Sequence, residues 1–263
     1  MIPALGLTAV FDLLAQYMVA MLRLGAFLIA SPVFGGRFIP LPIRVLATAV
    51  IALPVMMNAP LPDPQTIADL RFVAVVMAEL TIGLSAGLVV TIMFGAASVA
   101  GDRIASTAGL SFAAQFDPAA GGQTPVVSQI FGLFLLSCFI GTEGHLTAIR
   151  LILESYTTLP IGSSLNPAIL ITSGLYAGGQ MFIIASTMML PVVSVLLILN
   201  IVIGVLTRAA PQLNVFSFGF PVTMTATMVL IYIFAPGLIA SFDDLVAEAL
   251  RLLTDLLRDL SNG

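Results

Sequence analysis

Fifty-three consecutive residues, 155–207, carry no charge, and after a single arginine another 34, 209–242, carry none either. Three shorter runs are equally bare: 18 residues at 45–62, 22 at 80–101 and 25 at 118–142. A helix needs about 20 apolar residues to cross a hydrocarbon core of about 30 Å. These runs therefore dictate helices that meet lipid or other apolar helices, not water. Composition agrees, since only 8% of the 263 residues are charged against roughly 25% in soluble domains. Too few charges exist to cover a soluble enzyme or to keep a disordered tail in solution. All nine basic residues are arginine and the net charge is −4, so no basic patch for a phosphate backbone exists and no nucleic-acid partner is expected. The lone cysteine, Cys138, excludes an internal disulfide and any multi-cysteine metal site. The first residues lack a positive charge and include Asp12, so a cleavable leader is not expected.

The pattern predicts an all-α chain with six hydrophobic helices, roughly 9–30, 42–58, 69–100, 125–142, 168–207 and 212–240. Asp63-Pro64, Thr124-Pro125 and Asn166-Pro167 each put a capping side chain before a proline suited to a first helical turn. Two apolar segments, 70–100 and 174–206, are too long for ordinary spans, at 31 and 33 residues. They imply tilt, a break, a kink at Pro191, or packing against other subunits along part of their length. The arginines distribute four and four between alternate loops, so they fix topology only weakly, the short first and fifth loops favouring both termini outside. From 241 to 260, Leu245, Ala249, Leu252, Leu256 and Leu260 recur at steps of three and four opposite Asp244, Glu248, Arg251, Asp255 and Arg258. This is an amphipathic C-terminal helix, too acidic to seek anionic lipid, and is expected to dock on the bundle or a partner.

Individual residues add detail. Gly83, Gly87, Thr91 and Gly95 lie every four residues, and Gly174 and Gly178 repeat the spacing. Such ridges let helix backbones approach closely where lipid supplies no hydrophobic drive. Arg23 interrupts the first apolar stretch. A central arginine costs roughly 2.5–3.5 kcal/mol on insertion scales, so a buried partner is expected. Asp102 and Arg103 mark the end of the third apolar stretch, either paired or reaching for the interface.

No catalytic constellation is present. His145 is the only histidine, so His-Glu-x-x-His cannot form. The strings Thr172-Ser173-Gly174 and Gly101-Asp102 miss the requirements of serine and aspartyl intramembrane proteases. No enzyme activity and no cofactor are expected. The connection 109–125 carries Phe112 and Phe116, a Gly121-Gly122 pair and Pro118, with Asp117 its only charge. It reads either as a surface loop or as a pliable gate whose bulky side chains fill a narrow passage.

The string Arg208-Ala-Ala-Pro211-Gln212-Leu-Asn214-Val-Phe216, followed by Gly219-Phe220-Pro221, resembles the signature of the FliR family of the flagellar export apparatus, whose injectisome counterpart is SctT. Ser31-Pro32-Val33-Phe34-Gly35, residues 109–118, Gly144-His145 and Leu159-Pro160-Ile161-Gly162 support it in the family's order. The resemblance covers the whole chain as a single FliR-like domain, 1–165 similar to FliP and 166–263 to a FliQ hairpin with its tail. It implies one copy of this chain among FliP- and FliQ-like subunits in the inner membrane at the flagellar basal body. There they form a channel for unfolded flagellar proteins, with FlhB wrapped around the closed base and FlhA beneath. Helices in such complexes are bent hairpins. The loop 112–124, with Phe112, Gln115, Phe116, Asp117 and Pro118, resembles the family's plug. The turn bearing Arg208, Pro211, Gln212, Asn214 and Phe216 would face the cytoplasm, where FlhB binds. An injectisome subunit is the nearest alternative. A small secondary transporter is the rival from another class, and a scaffold that leaves the lumen to other subunits is a third reading.

Overall fold

The computed structural model describes residues 7–36, 39–58, 71–110, 126–210, 212 and 218–262. Among these residues the chain is all-α, with seven helices: α1 Leu7–Ala30, α2 Leu41–Asn58, α3 Arg71–Thr107, α4 Val126–Gly141, α5 Gly144–Thr158, α6 Pro167–Ala209 and α7 Phe220–Asn262. Helices α1, α3, α6 and α7 are long and apolar enough to cross a membrane, and α4 with α5 would make a fifth span if the bent pair counts as one.

Two differences from the sequence reading have physical causes. Helix α5 was not among the expected helices, because Glu143, His145, Arg150 and Glu154 make it polar. Its helical signal is amphipathic instead: Gly144, Ala148, Ile152, Ser155 and Tyr156 form the buried face. Glu143 starts it in the left-handed region at φ 57°, which interrupts the chain between α4 and α5. The C-terminal amphipathic stretch is likewise not a separate helix. It continues α7 without a break for 43 residues, Pro236 included. Helix geometry survives the change from apolar to charged composition because the buried stripe is unbroken: Leu238, Phe242, Leu245, Ala249, Leu252 and Leu256 are all within 7% exposure.

The residues gather into two compact units, each built from separated stretches of chain. The first unit comprises Met1–Ile92, Glu143–Ala177 and Glu248–Gly263. Its buried residues include Leu24, Phe27 and Leu28 of α1, Ile82 of α3, Ile152 of α5 and Leu253 of α7. The turn after α1 is tied locally. The Gly35 N–H donates to the Ser31 carbonyl at 2.8 Å, and Arg44 donates to the Ile39 and Gly36 carbonyls at 3.0 and 2.6 Å. A Cβ at Gly35 would lie 2.4 Å from the Ile29 carbonyl oxygen, so only glycine fits there.

The second unit comprises Met93–Thr142 and Gly178–Ala247. Aromatic edges hold its helices: Phe94 meets Phe139 at 5.1 Å and Phe131 meets Phe242 at 5.6 Å, both edge to face. The second half of α3 runs so close to α4 that a Cβ at Gly101 would be 2.6 Å from the Ser128 Cα, while Ser128 Oγ donates to the Ser98 carbonyl at 3.0 Å.

Candidate functional site

Arg23 has its buried partner, and it is Glu79. The guanidinium is fully enclosed and binds the carboxylate with two hydrogen bonds, Nε to Oε2 at 2.8 Å and Nη2 to Oε1 at 3.1 Å. Such bidentate geometry is the strong form of an Arg–carboxylate pair. Nη1 also donates to Ser155 Oγ at 3.0 Å and Nη2 to the Leu159 carbonyl at 2.9 Å. The Tyr156 ring lies 4.4 Å from the guanidinium carbon, a cation–π distance. Its hydroxyl donates to the Ala20 carbonyl at 2.7 Å and accepts the Leu24 N–H at 3.2 Å. The Gly162 N–H donates to Glu79 Oε1 at 3.3 Å. The cluster thus binds α1, α3, α5 and the turn after α5 within the first unit. Glu79 was legible in principle, as the one charge between Arg71 and Asp102. Ser155 and Tyr156 were not, because they belong to the helix the hydrophobic pattern missed.

The small-residue ridge on α3 explains how the pair comes so close. A Cβ on Gly83 would sit 2.1 Å from the Arg23 carbonyl oxygen, and one on Gly87 would sit 2.6 Å from the Ala30 Cβ and 2.9 Å from the Phe27 carbonyl. Thr91 Oγ1 continues the ridge by donating to the Ala30 carbonyl at 2.6 Å. Gly95 faces the Met181 sulfur, 3.0 Å from its would-be Cβ. Gly174 and Gly178 differ: nothing lies within 4 Å of a Cβ added at either.

A second polar feature sits in the other unit, where α3 ends. Asp102 and Arg103 are exposed and inside the helix, which runs past them to Thr107. The final carbonyls of a helix have no partner within it. Here Asn200 Nδ2 of α6 donates to the Thr107 carbonyl at 2.9 Å, and Thr223 Oγ1 of α7 donates to the Ala108 carbonyl at 2.9 Å. Gly109 follows at φ +82°, where a Cβ would also strike the Phe220 ring at 2.7 Å. A cavity of about 430 Å³ opens beside this cap, lined by Arg103, Asn200 and Thr223 among others. Arg208 lies exposed in the last turn of α6, and Gln212 is exposed beyond it. Pro211, Asn214 and Phe216 of the same turn lie outside the described residues, as do Phe112, Gln115, Phe116, Asp117 and Pro118. Among the described residues no three His, Cys, Asp or Glu side chains gather where a metal ion would sit.

The outer faces are apolar. In the most apolar window of α6 and of α7 only 17% of residues are buried. On α6, Ile171, Leu175, Phe182, Leu190, Ile198 and Val205 are all at least half exposed. Tyr232 of α7 is 82% exposed.

Against known proteins, residues 14–249 match the family described as bacterial export proteins, family 1. The chain is 32% identical over 251 residues to the flagellar biosynthetic protein FliR of Pectobacterium carotovorum subsp. carotovorum, covering 95% of each chain. It is 32% identical over 250 residues to the FliR of Escherichia coli (strain K12), covering 93% of each. The FliR of Bacillus subtilis (strain 168) is 26% identical over 233 residues, 86% of this chain and 88% of that protein.

Proposed function

The chain belongs to family 1 of the bacterial export proteins, and from that membership we propose that it is a core subunit of the flagellar type III export gate. In this reading one copy joins FliP- and FliQ-like subunits in the bacterial inner membrane, within the flagellar basal body. Together they line the passage through which unfolded flagellar proteins leave. FlhB- and FlhA-like proteins meet the assembly at its cytoplasmic base, where the turn with Arg208, Pro211, Gln212, Asn214 and Phe216 provides the contact. The segment bearing Phe112, Gln115, Phe116, Asp117 and Pro118 occludes the passage at rest. The chain works by assembly and occlusion, without catalysis and without a cofactor.

The observation that carries the partner reading is the exposed apolar length of α6. Exposed apolar side chains run along it from Ile171 to Val205. At 1.5 Å per residue that is about 52 Å of helix, whereas a bilayer core covers about 30 Å. Lipid alone leaves roughly 20 Å of apolar surface facing water, a cost that other apolar helices remove. Gly174 and Gly178, open on the same helix, suit the close approach of such helices. A lone transporter offers no cover for this excess length.

The test is to purify the chain, tagged and at native expression, from membranes of its own cell. FliP- and FliQ-like subunits should come with it in excess over the tagged chain. Recovery as a monomer or homo-oligomer free of both would overturn the proposal.

A further inference from the structure

Resting on the export-gate reading, we infer that residues 93–107 of α3 line the export passage. Ser98, Asp102, Arg103 and Ser106, all in the second unit, are the side chains that face the chain in transit.

Helix α3 changes its surface along its length. Between 72 and 92 its exposed residues are Val73, Ala74, Met77, Leu84 and Leu88, all apolar. Between 93 and 107 they are Ser98, Asp102, Arg103 and Ser106, all polar. Ser98, Asp102 and Ser106 follow at steps of four and Arg103 stands beside them, so the four share an arc of about 140° and a rise of about 12 Å. The other side of these turns is packed. Ala96, Ala97, Ala100, Ile104 and Ala105 are completely buried, and α4 crosses closely at Gly101. Helix α6 gives the same unit an apolar surface, with Phe182, Ile183, Leu190, Leu197 and Ile198 each at least half exposed. An aspartate and an arginine are costly against lipid, and in membrane-assembled chains such residues mark water-filled pathways. The stripe therefore belongs where water is, and the α6 surface where apolar helices or lipid are. At its Arg103 and Ser106 end the stripe opens on the cavity of about 430 Å³, whose lining adds Asn200 and Thr223. Its chemistry also suits a passing unfolded chain. The charges of Asp102 and Arg103 cancel, so neither acidic nor basic segments are held by a net field. The two serine hydroxyls exchange hydrogen bonds with water or with passing backbone and offer no apolar surface to bind. The stripe wets the passage without retaining its cargo.

The experiment measures thiol reactivity in the assembled complex, purified from membranes into lipid nanodiscs so that a charged, water-soluble methanethiosulfonate reaches both sides. Cys138→Ala removes the one native thiol. In that background Ser98→Cys, Asp102→Cys and Ser106→Cys should react about tenfold faster than Phe182→Cys and Ile198→Cys on the apolar surface of α6, because the reactive thiolate forms in water and is suppressed in apolar surroundings. With an exported chain stalled in the passage by a folded domain fused behind it, the three fast rates should fall about tenfold as the reagent loses access. The serine variants exchange an oxygen for a sulfur, so they keep the test open if Asp102→Cys fails to assemble. Labelling of both as slow as that on α6 means a partner helix covers the stripe, and overturns the proposal. Fast labelling that the stalled chain leaves unchanged puts the stripe in water outside the passage, and overturns it equally. Either result leaves the export-gate reading standing while FliP- and FliQ-like subunits remain in the preparation. Their absence from the wild-type complex refutes that reading, and the stripe's role falls with it.

Discussion

Removing the carboxylate from Glu79 tests what the buried pair contributes. In Glu79→Leu the Arg23 guanidinium, fully enclosed, keeps Ser155 Oγ and the Leu159 carbonyl as acceptors but loses its counter-charge. Breaking a buried pair from one side costs about 3–5 kcal/mol, a large share of a stability of about 5–15 kcal/mol. Arg23→Met should cost a similar amount by stranding the carboxylate. The double variant strands no charge. It orphans the Leu159 carbonyl, at about 1–3 kcal/mol, and removes the acceptor of the Gly162 N–H, which sits on an exposed residue, while Ser155 keeps its bond to the Ile152 carbonyl at 2.6 Å. Summed singles of roughly 6–10 kcal/mol against a double of roughly 1–3 kcal/mol give a coupling of several kcal/mol. A charge swap, Arg23→Glu with Glu79→Arg, restores the attraction. It also points a carboxylate at the Leu159 carbonyl and the Tyr156 ring face, so it should be worse than the neutral double. The assay is thermal unfolding of the purified assembly in detergent, with abundance in membranes as a second readout. A Glu79→Leu variant within 1 kcal/mol of wild type, or a double variant as unstable as the summed singles, would refute the reasoning.

Three further outcomes are expected. Gly87→Leu should eliminate the complex from a native gel, because even a Cβ there meets Ala30 at 2.6 Å and overpacking a close crossing costs about 1–3 kcal/mol or more; normal assembly would contradict it. Arg208→Glu should weaken crosslinking of residue 208 to the FlhB-like protein several-fold and leave the core complex intact, since Arg208 is exposed at the end of α6; labelling of that residue from the periplasm would reverse the topology. Deleting residues 115–122 should preserve assembly and let small ions through the inner membrane, and unchanged conductance would assign occlusion to other subunits.

Long charge-free runs announced α3, α6 and α7 because hydrophobic length is a one-dimensional property. The glycine ridge was legible for the same reason, as a spacing on one helix. What contacts the ridge was not: Gly83 and Gly87 face α1 of this chain, whereas Gly174 and Gly178 face open space, and the two motifs look alike in sequence. Arg23 was recognisable as a residue in need of a partner, yet three of the groups that satisfy it lie more than 130 residues away. The α3 cap escaped entirely. Asn200 and Thr223 sit among other polar residues of their helices, such as Ser194 and Thr225, and only the fold shows which carbonyls they serve.

The sequence separation of the Arg23 cluster also sets a timetable. Glu79 follows Arg23 by 56 residues and Ser155 by 132. At synthesis rates of about 5–20 residues per second, the carboxylate is made roughly 3–11 s after the arginine, and the hydroxyl roughly 7–26 s after it. Throughout that interval α1 carries an unpaired cation that is expensive to place in the centre of a bilayer. Its settled position is therefore reached late, when α3 and α5 arrive to receive it, and any partner that stabilises nascent α1 does so against a clock of seconds.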